Sequence, residues 1–396
     1  MPEPAADPRA PRPPDQGERD RIRSDLASTL VVEAGAGSGK TSALVGRVLA
    51  LVSTGEAELA QVAAVTFTEK AAAELRHRIR SELAAFVADH RGSAGAARCQ
   101  VALDQLDGAA IGTLHSFARR ILEEHPIEAG LPPRFEVLDE LSSGVAFEQR
   151  WSVLQEELLS EATMDRTLSL LLAGGMRPEG LRHLARQFDD NWDLVEDQVP
   201  EARREPPPAH QLLEAVLRDA GEIAAYRCSD PEDKLRKRIE EVGDHLGRLA
   251  AAGGEPGLLV ALGPLGALRP AAFGVSGLGR SASWDDVGDV RRRVGKLGER
   301  LGEIRDKIMT ACAHRVGSEI RRYTLAAARE RRAGGRLVFH DLLVLARALL
   351  RDPGHGPEVR ARLHERYRHL LLDELQDADP IQVELAARIA AAEPRS

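Results

Sequence analysis

The chain has 396 residues, enough for two or three domains with sizeable cores, and its low aromatic content of 4% points to helices. A net charge of -8 means that no global basic field advertises nucleic acid, although a local groove can be basic on an acidic protein. Cys99, Cys228 and Cys312 lie far apart with no Cys-x-x-Cys pair, which excludes a disulfide framework and a cysteine-based zinc or iron–sulfur site and suits a reduced cytosol.

Residues 1–14 carry six prolines and read as a disordered tail, with no apolar core of a signal peptide. From Asp15 the pattern is helical, and it then alternates strand and helix. Strands are expected at 29–33, 62–67, 109–113 and 135–138, with helices after Lys40, Glu69 and His115. This rhythm predicts an α/β fold with a parallel sheet and helices on both faces.

The first strand runs into Ala34-Gly35-Ala36-Gly37-Ser38-Gly39-Lys40-Thr41, a glycine-rich turn followed by a helix. Such a turn curls backbone N–H groups around phosphate oxygens, and the helix N-terminus adds favourable partial charge. Lys40 would meet the β- and γ-phosphates and Thr41 would ligate Mg²⁺. Only six lysines stand among the 54 basic residues, so Lys40 and Lys70 are notable in a chain that otherwise uses arginine. A phosphate loop wants a compact ammonium and not a planar fork. Ala34 departs from the strict pattern, which has glycine there.

From about Glu140 the alternation stops, and long helical stretches run to about residue 332. Residues 136–205 hold 16 acidic and 7 basic residues, whereas 291–336 hold 14 basic and 5 acidic. The plain reading of each is a solvated helix face. Residues 253–279 are glycine-rich and read as a loose connection, and the longest apolar stretch, 258–268, is too short and broken to span a membrane. The α/β signals return with Leu337-Val338-Phe339, a helix at 341–350, a strand at 369–372 and a helix at 379–391. The simplest architecture is one α/β domain, 15–139 and 335–396, interrupted by a helical insertion at 140–334.

The strand His369-Leu370-Leu371-Leu372 ends in Asp373-Glu374. Asp373 would hold Mg²⁺ directly or through water, and Glu374 would act as general base on the attacking water. Gln376 beside the γ-phosphate would sense hydrolysis or position that water. Phe67 near a strand end, beside Thr66, Thr68 and Lys70, suits stacking on a base and binding a phosphate, although the residue by itself reads equally as a core phenylalanine.

Together these segments resemble superfamily 1 DNA helicases of the UvrD/RecB/AddA type. The loop 34–41 is similar to their motif I, where alanine in first position is ordinary. Residues 66–75 resemble motif Ia, and Gly112-Thr113-Leu114-His115-Ser116-Phe117 resembles the next DNA-contacting motif. Phe339-His340-Asp341-Leu342-Leu343 resembles a family helix start, and Asp373-Glu374-Leu375-Gln376-Asp377 resembles motif II. Gln16 stands where the family places its adenine-reading glutamine, and Glu69, where many members have asparagine, leans toward the RecB/AddA branch. The resemblance implies a RecA-like motor domain (1A) holding a helical subdomain (1B), ATP and Mg²⁺ as cofactors, and 3′→5′ action on single-stranded DNA or a duplex junction. Thr66, Phe67, Thr68, Lys70, Thr113 and His115 would be DNA contacts, and the partner would be a nuclease or helicase subunit. It also implies motifs III to VI a few tens of residues beyond motif II, but Ser396 comes 19 residues after Asp377. The expectation is therefore the N-terminal portion of a helicase, binding ATP and single strands but turning over poorly alone. The other reading is a non-motor ATP- or DNA-binding module completed in trans. A small-molecule kinase is disfavoured by residues 373–377 and 66–75.

Overall fold

The computed structural model describes residues 15–35, 37–201, 204–263, 273–374 and 378–390. The expected tail at 1–14, and the positions Ala36 and Gln376, lie outside the described residues. By internal contacts the chain divides into two compact units, Met1–Asp139 with Arg331–Ser396, and Glu140–Glu330.

The first unit is α/β. In chain order it contains α1 (Gln16–Ser24), α2 (Lys40–Thr54), β1 (Val62–Thr66), α3 (Glu69–Asp89), α4 (Ala94–Gln105), β2 (Ala110–Thr113), α5 (Leu114–Glu124) and β3 (Glu136–Val137). The second unit is helical: α6 (Glu140–Ser160), α7 (Ala162–Ala173), α8 (Pro178–Asp190), α9 (Trp192–Gln198), α10 (Ala209–Ala224), α11 (Lys234–Ala250), α12 (Gly254–Leu262) and the 48-residue α13 (Val287–Gly334), whose last turn already belongs to the first unit. The first unit resumes with β4 (Arg336–Leu337), α14 (Phe339–Arg351), α15 (Gly356–Arg366), β5 (His369–Leu372) and α16 (Pro380–Ala390).

The main sheet is parallel with order β2-β1-β5, registered Val65 to Gly112 on one side and Val65 to Leu372 on the other. Every residue of β1 is buried, and its side chains alternate between two cores. Val62 and Ala64, with Ile111, face a cluster built by α2, α3 and α4. Ala63 and Val65, with Ala110, face a second cluster built by α5, α14, α15 and α16. Helices therefore cover both faces, as a buried parallel sheet requires. The small alanines of β1 let both helical layers approach closely. Helices start where side-chain hydroxyls cap them: Thr68 Oγ1 accepts from Ala71 N at 3.1 Å, and Thr113 Oγ1 from Ser116 N at 3.1 Å. Thr113 is the last residue of β2 and Thr68 lies two residues past the end of β1, so each cap fixes where its strand delivers the chain.

The expected strand at 29–33 does not form. The segment has no regular secondary structure and no ladder partner among the described residues, and Val31 and Val32 are 88% and 47% exposed. An apolar run becomes a strand only when a neighbour takes its N–H and C=O groups. Phe339 opens α14, as the resemblance of 339–343 to a helix start implies, and 254–262, expected as loose connection, is helical. No helix among the described residues is long and apolar enough to cross a membrane.

Within the helical unit the two oppositely charged segments touch: Arg315 of α13 pairs with Glu205, and Arg321 Nη1 lies 3.1 Å from Glu201 Oε1. Arg293 and Arg300 pair with Glu222 and Asp219, beyond the acidic segment. Glu201 and Glu205 remain more than half exposed, so the solvated faces carry ion pairs at these points.

Candidate nucleotide and nucleic-acid site

The turn before α2 is held by its own atoms. Gly37 and Gly39 have φ of 75° and 86°, a left-handed conformation that costs a side-chain-bearing residue and is free to glycine. Ser38 N and Oγ both donate to Gly35 O, at 3.3 and 2.7 Å. Gly39 N-caps α2, so Lys40 and Thr41 stand in the first turn, where orphan N–H groups and the helix dipole attract anions. Behind them Val45, Val48, Leu51 and Val52 bury one helical stripe into the core and anchor the turn.

The second half of the site arrives 332 residues later in sequence. β5 pairs with β1, and Asp373 N continues the ladder onto Val65 O at 2.9 Å. That register places the carboxylates beside the turn. Thr41 Oγ1 donates to Asp373 Oδ2 at 3.3 Å, and Lys40 Nζ lies 3.5 Å from Glu374 Oε2. Glu374 is the sole non-glycine with positive φ among the described residues, at 55°. Backbone strain of this kind concentrates at functional positions. The donor set fits a hard divalent cation: a hydroxyl and a carboxylate oxygen face each other, with the remaining positions left for phosphate and water oxygens. No cluster of three or more His, Cys, Asp or Glu side chains among the described residues is placed to hold a metal by itself.

The candidate nucleic-acid contacts lie at the ends of β1 and β2 in the same unit. Phe67 is half-buried at the end of β1, and Thr68 and Lys70 are exposed at the start of α3. Thr66 and Thr113, expected as contacts, are each only 2% exposed. Thr113 also spends its hydroxyl proton on Glu69 Oε1 at 2.9 Å while capping α5, so this threonine ties the two strand ends together instead of facing outward. His115 stacks on Phe339, ring centroids 3.9 Å apart and 16° from parallel. Burial, and then the neighbouring His340, push the His115 imidazole down to about 4 against the opposing pull of Asp379. His115 is therefore neutral at physiological pH and offers a hydrogen bond rather than a cation. Phe339 is 53% exposed, so the stack presents an open aromatic face.

Gln16, expected to read adenine, folds its amide back onto Asp20 Oδ1 at 2.8 Å on its own helix. One turn on, Arg19 reaches the loop, where Nη2 donates to Ser38 O at 2.7 Å. Sequence reasoning also missed Arg47. It is 9% exposed, and its guanidinium donates to the carbonyls of Ile22, Asp25 and Ser28 at 2.8, 2.7 and 3.1 Å, pinning the segment between α1 and the loop. A readable signal existed, since Arg47 interrupts the apolar stripe of α2 at the spacing of Leu44, Val48 and Leu51. Likewise Asp341 makes a two-pronged pair with Arg331, at 2.9 and 3.1 Å, and accepts from Val338 N at 2.9 Å. This buried pair sets the turn that carries Phe339.

The geometry is matched by sequence similarity. Residues 15–395 match the family model for the UvrD/REP helicase N-terminal domain. A DNA helicase II of Haemophilus influenzae is 43% identical over 122 residues, 31% of this chain and 15% of that protein. The A subunit of the ATP-dependent helicase/nuclease of Levilactobacillus brevis is 26% identical over 433 aligned positions, 95% of this chain and 33% of that protein. DNA helicase II of Escherichia coli is 31% identical over 185 residues, 44% of this chain and 22% of that protein. The chain thus spans at most about a third of these relatives' length. With a match over nearly its full length, the chain belongs to the UvrD/REP helicase N-terminal domain family.

Proposed function

We propose that this chain is the nucleotide-binding half of an ATP-dependent DNA helicase or translocase of 3′→5′ type. The first unit would be the RecA-like motor domain 1A, and the helical unit the inserted subdomain 1B. The observation that carries the reading is the convergence of Lys40 and Thr41 with Glu374 and Asp373 across the β1–β5 register. Lys40 would neutralise the β- and γ-phosphates, Thr41 and Asp373 would hold Mg²⁺, and Glu374 would take the proton of the attacking water. Gly35, Gly37 and Gly39, with Ala34, Ala36 and Ser38, would supply the loop's backbone to the phosphates, and Gln376 would position water beside the γ-phosphate.

Phe67, Thr68, Lys70 and His115 would track one strand, joined by the open face of Phe339. Stacking on aromatic rings suits any base, so such binding is indifferent to sequence. Groups reaching the γ-phosphate from a second motor domain are worth on the order of 10³–10⁵ in rate, so turnover by these residues alone is expected to be slow. The names of three relatives support the wider setting. Two are helicases and one belongs to a helicase/nuclease, which favours DNA repair or recombination and a partner with nuclease activity.

Calorimetric titration tests the assignment. Lys40→Ala abolishes Mg-ATP binding, whereas Glu374→Gln preserves binding and removes residual hydrolysis. Equal ATP affinity in the Lys40 variant would sink the proposal.

A further inference from the structure

One edge of the main sheet is closed by side chains rather than by another strand. β2 pairs with β1 on one side, and among the described residues no strand lies on its other side. A bare edge presents a row of N–H and C=O groups that invites another strand. Along this edge the carbonyls are already taken. Arg76 Nη2, from α3, donates to Ile111 O. Arg120, from α5, donates through Nη1 to Gly108 O at 3.1 Å and through Nη2 to Ala109 O at 3.5 Å. Ser116 Oγ donates to Thr113 O at 2.8 Å. Ala109, Ile111 and Thr113 alternate along the chain, so their carbonyls leave it on one side. On that side Ile111 N donates to Ala109 O at 2.9 Å. α3 and α5 pack on opposite faces of the sheet, so the two arginines reach the edge from both faces.

Gly112 belongs to the same arrangement. A β-carbon there would collide with Ser116 Oγ and push it off Thr113 O. Beside the edge lies a cavity of about 110 Å³, lined in part by Arg76, Arg120, Gly112 and Ser116. The edge has open space in front of it, and the guanidinium and hydroxyl groups shut it.

We propose that Arg76 and Arg120 guard this edge, and that the strand they keep off it is β2 of a second copy of the chain. A sheet edge is ordinarily defended by charge or proline within the strand itself. β2 reads Ala110-Ile111-Gly112-Thr113 and carries neither, so its defence is brought in from the flanking helices. A second copy fits because the edge is short, uncharged and self-complementary. Turned about a two-fold axis, two such edges run antiparallel, and each supplies N–H groups to the other's carbonyls. Charge alone does not make the guard. Arg80, also on α3, pairs with the exposed Asp107 at 2.7 Å and bonds none of these carbonyls.

The test is sedimentation velocity of the full chain at rising concentration, in wild type and in Arg76→Met, Arg120→Met, the double variant and Arg80→Met. Methionine keeps an unbranched apolar stem and removes the donors. Wild type and Arg80→Met are expected to remain monomeric throughout. The double variant is expected to dimerise, about tenfold more tightly than either single variant, the effect of freeing further carbonyls for hydrogen bonds between copies. Hydrogen exchange locates the contact: in the double variant the amides of 109–113 become more protected as concentration rises. A double variant that keeps the wild-type circular dichroism spectrum and stays monomeric overturns the inference. So does dimerisation without new protection at 109–113, or a wild type that already pairs through this edge. Equal dimerisation of Arg80→Met would make lost surface charge the cause and overturn it too. Should the double variant not fold, the single variants decide, and monomers in both sink the proposal.

Discussion

The two units both set arginine against two kinds of acceptor. In the α/β unit Arg47 takes the carbonyls of Ile22, Asp25 and Ser28, Arg76 that of Ile111 and Arg332 that of Ala129, while Arg331 and Arg351 pair with the carboxylates of Asp341 and Glu384. In the helical unit Arg300 and Arg321 pair with Asp219 and Glu201, while Arg291 takes the carbonyls of Leu278 and Gly279. The difference follows from where unpaired carbonyls are. A helix satisfies its own backbone except at its ends, so its arginines have only side chains to meet. Strand ends and phosphate loops leave carbonyls that need donors. In the helical unit too, Arg166 and Arg305 bond Pro206 O and Gly174 O, in a loop and at a helix end. The segment that leads to the glycine-rich turn is therefore stapled by arginine, whereas the ion pairs on the helix faces of either unit are exchangeable.

Substitutions should separate the two regimes. The largest loss is expected for Asp341→Ala, which strands the buried Arg331 charge, 6% exposed, and should cost about 3–5 kcal/mol in urea unfolding. Arg47→Ala removes a staple with several bonds and should cost about 2–4 kcal/mol, with faster amide exchange confined to residues 22–28. If that exchange stayed slow, α1 would be seated by something other than Arg47. Phe67→Ala should leave stability nearly intact but weaken single-strand binding by about 1–3 kcal/mol in fluorescence anisotropy. Unchanged affinity with intact folding returns Phe67 to the core. The smallest effect is expected for Arg182→Ala in the helical unit, whose pair with Glu148 is half exposed, so the urea midpoint should stay unchanged. A loss as large as that of Arg47→Ala would erase the distinction between carbonyl staples and exposed ion pairs.

Much of the α/β unit was legible because its signals are local. Strands at 62–66, 110–113 and 369–372 follow from short apolar runs, and the caps Thr68 and Thr113 from hydroxyls just before helical patterns. The glycine-rich turn and Asp373-Glu374 were legible as motifs because each is a particular order of consecutive residues. Illegible were the features that depend on a neighbour brought from afar. An isolated apolar run at 29–33 looked like a strand, but strand formation needs an adjacent ladder. Arg19 and Gln16 are one helical turn apart on one surface helix, and only the packing of α1 on the loop decides which reaches Ser38. That Arg315 and Arg321 pair with Glu205 and Glu201 was likewise illegible, because composition does not say which residues of two charged segments oppose each other.

The amino-acid order by itself determined the chemistry available: a lysine after a glycine-rich turn, two carboxylates after an apolar strand, and aromatic and hydroxyl groups at strand ends. Tertiary structure alone decided which of these groups meet. The β1–β5 register brings residues 373 and 374 to 40 and 41, and the seating of α1 aims Arg19 at the loop. The physical reason is range. Propensity and capping act over a few residues, whereas hydrogen bonds and ion pairs between distant segments exist only after the cores on both faces of the sheet have closed.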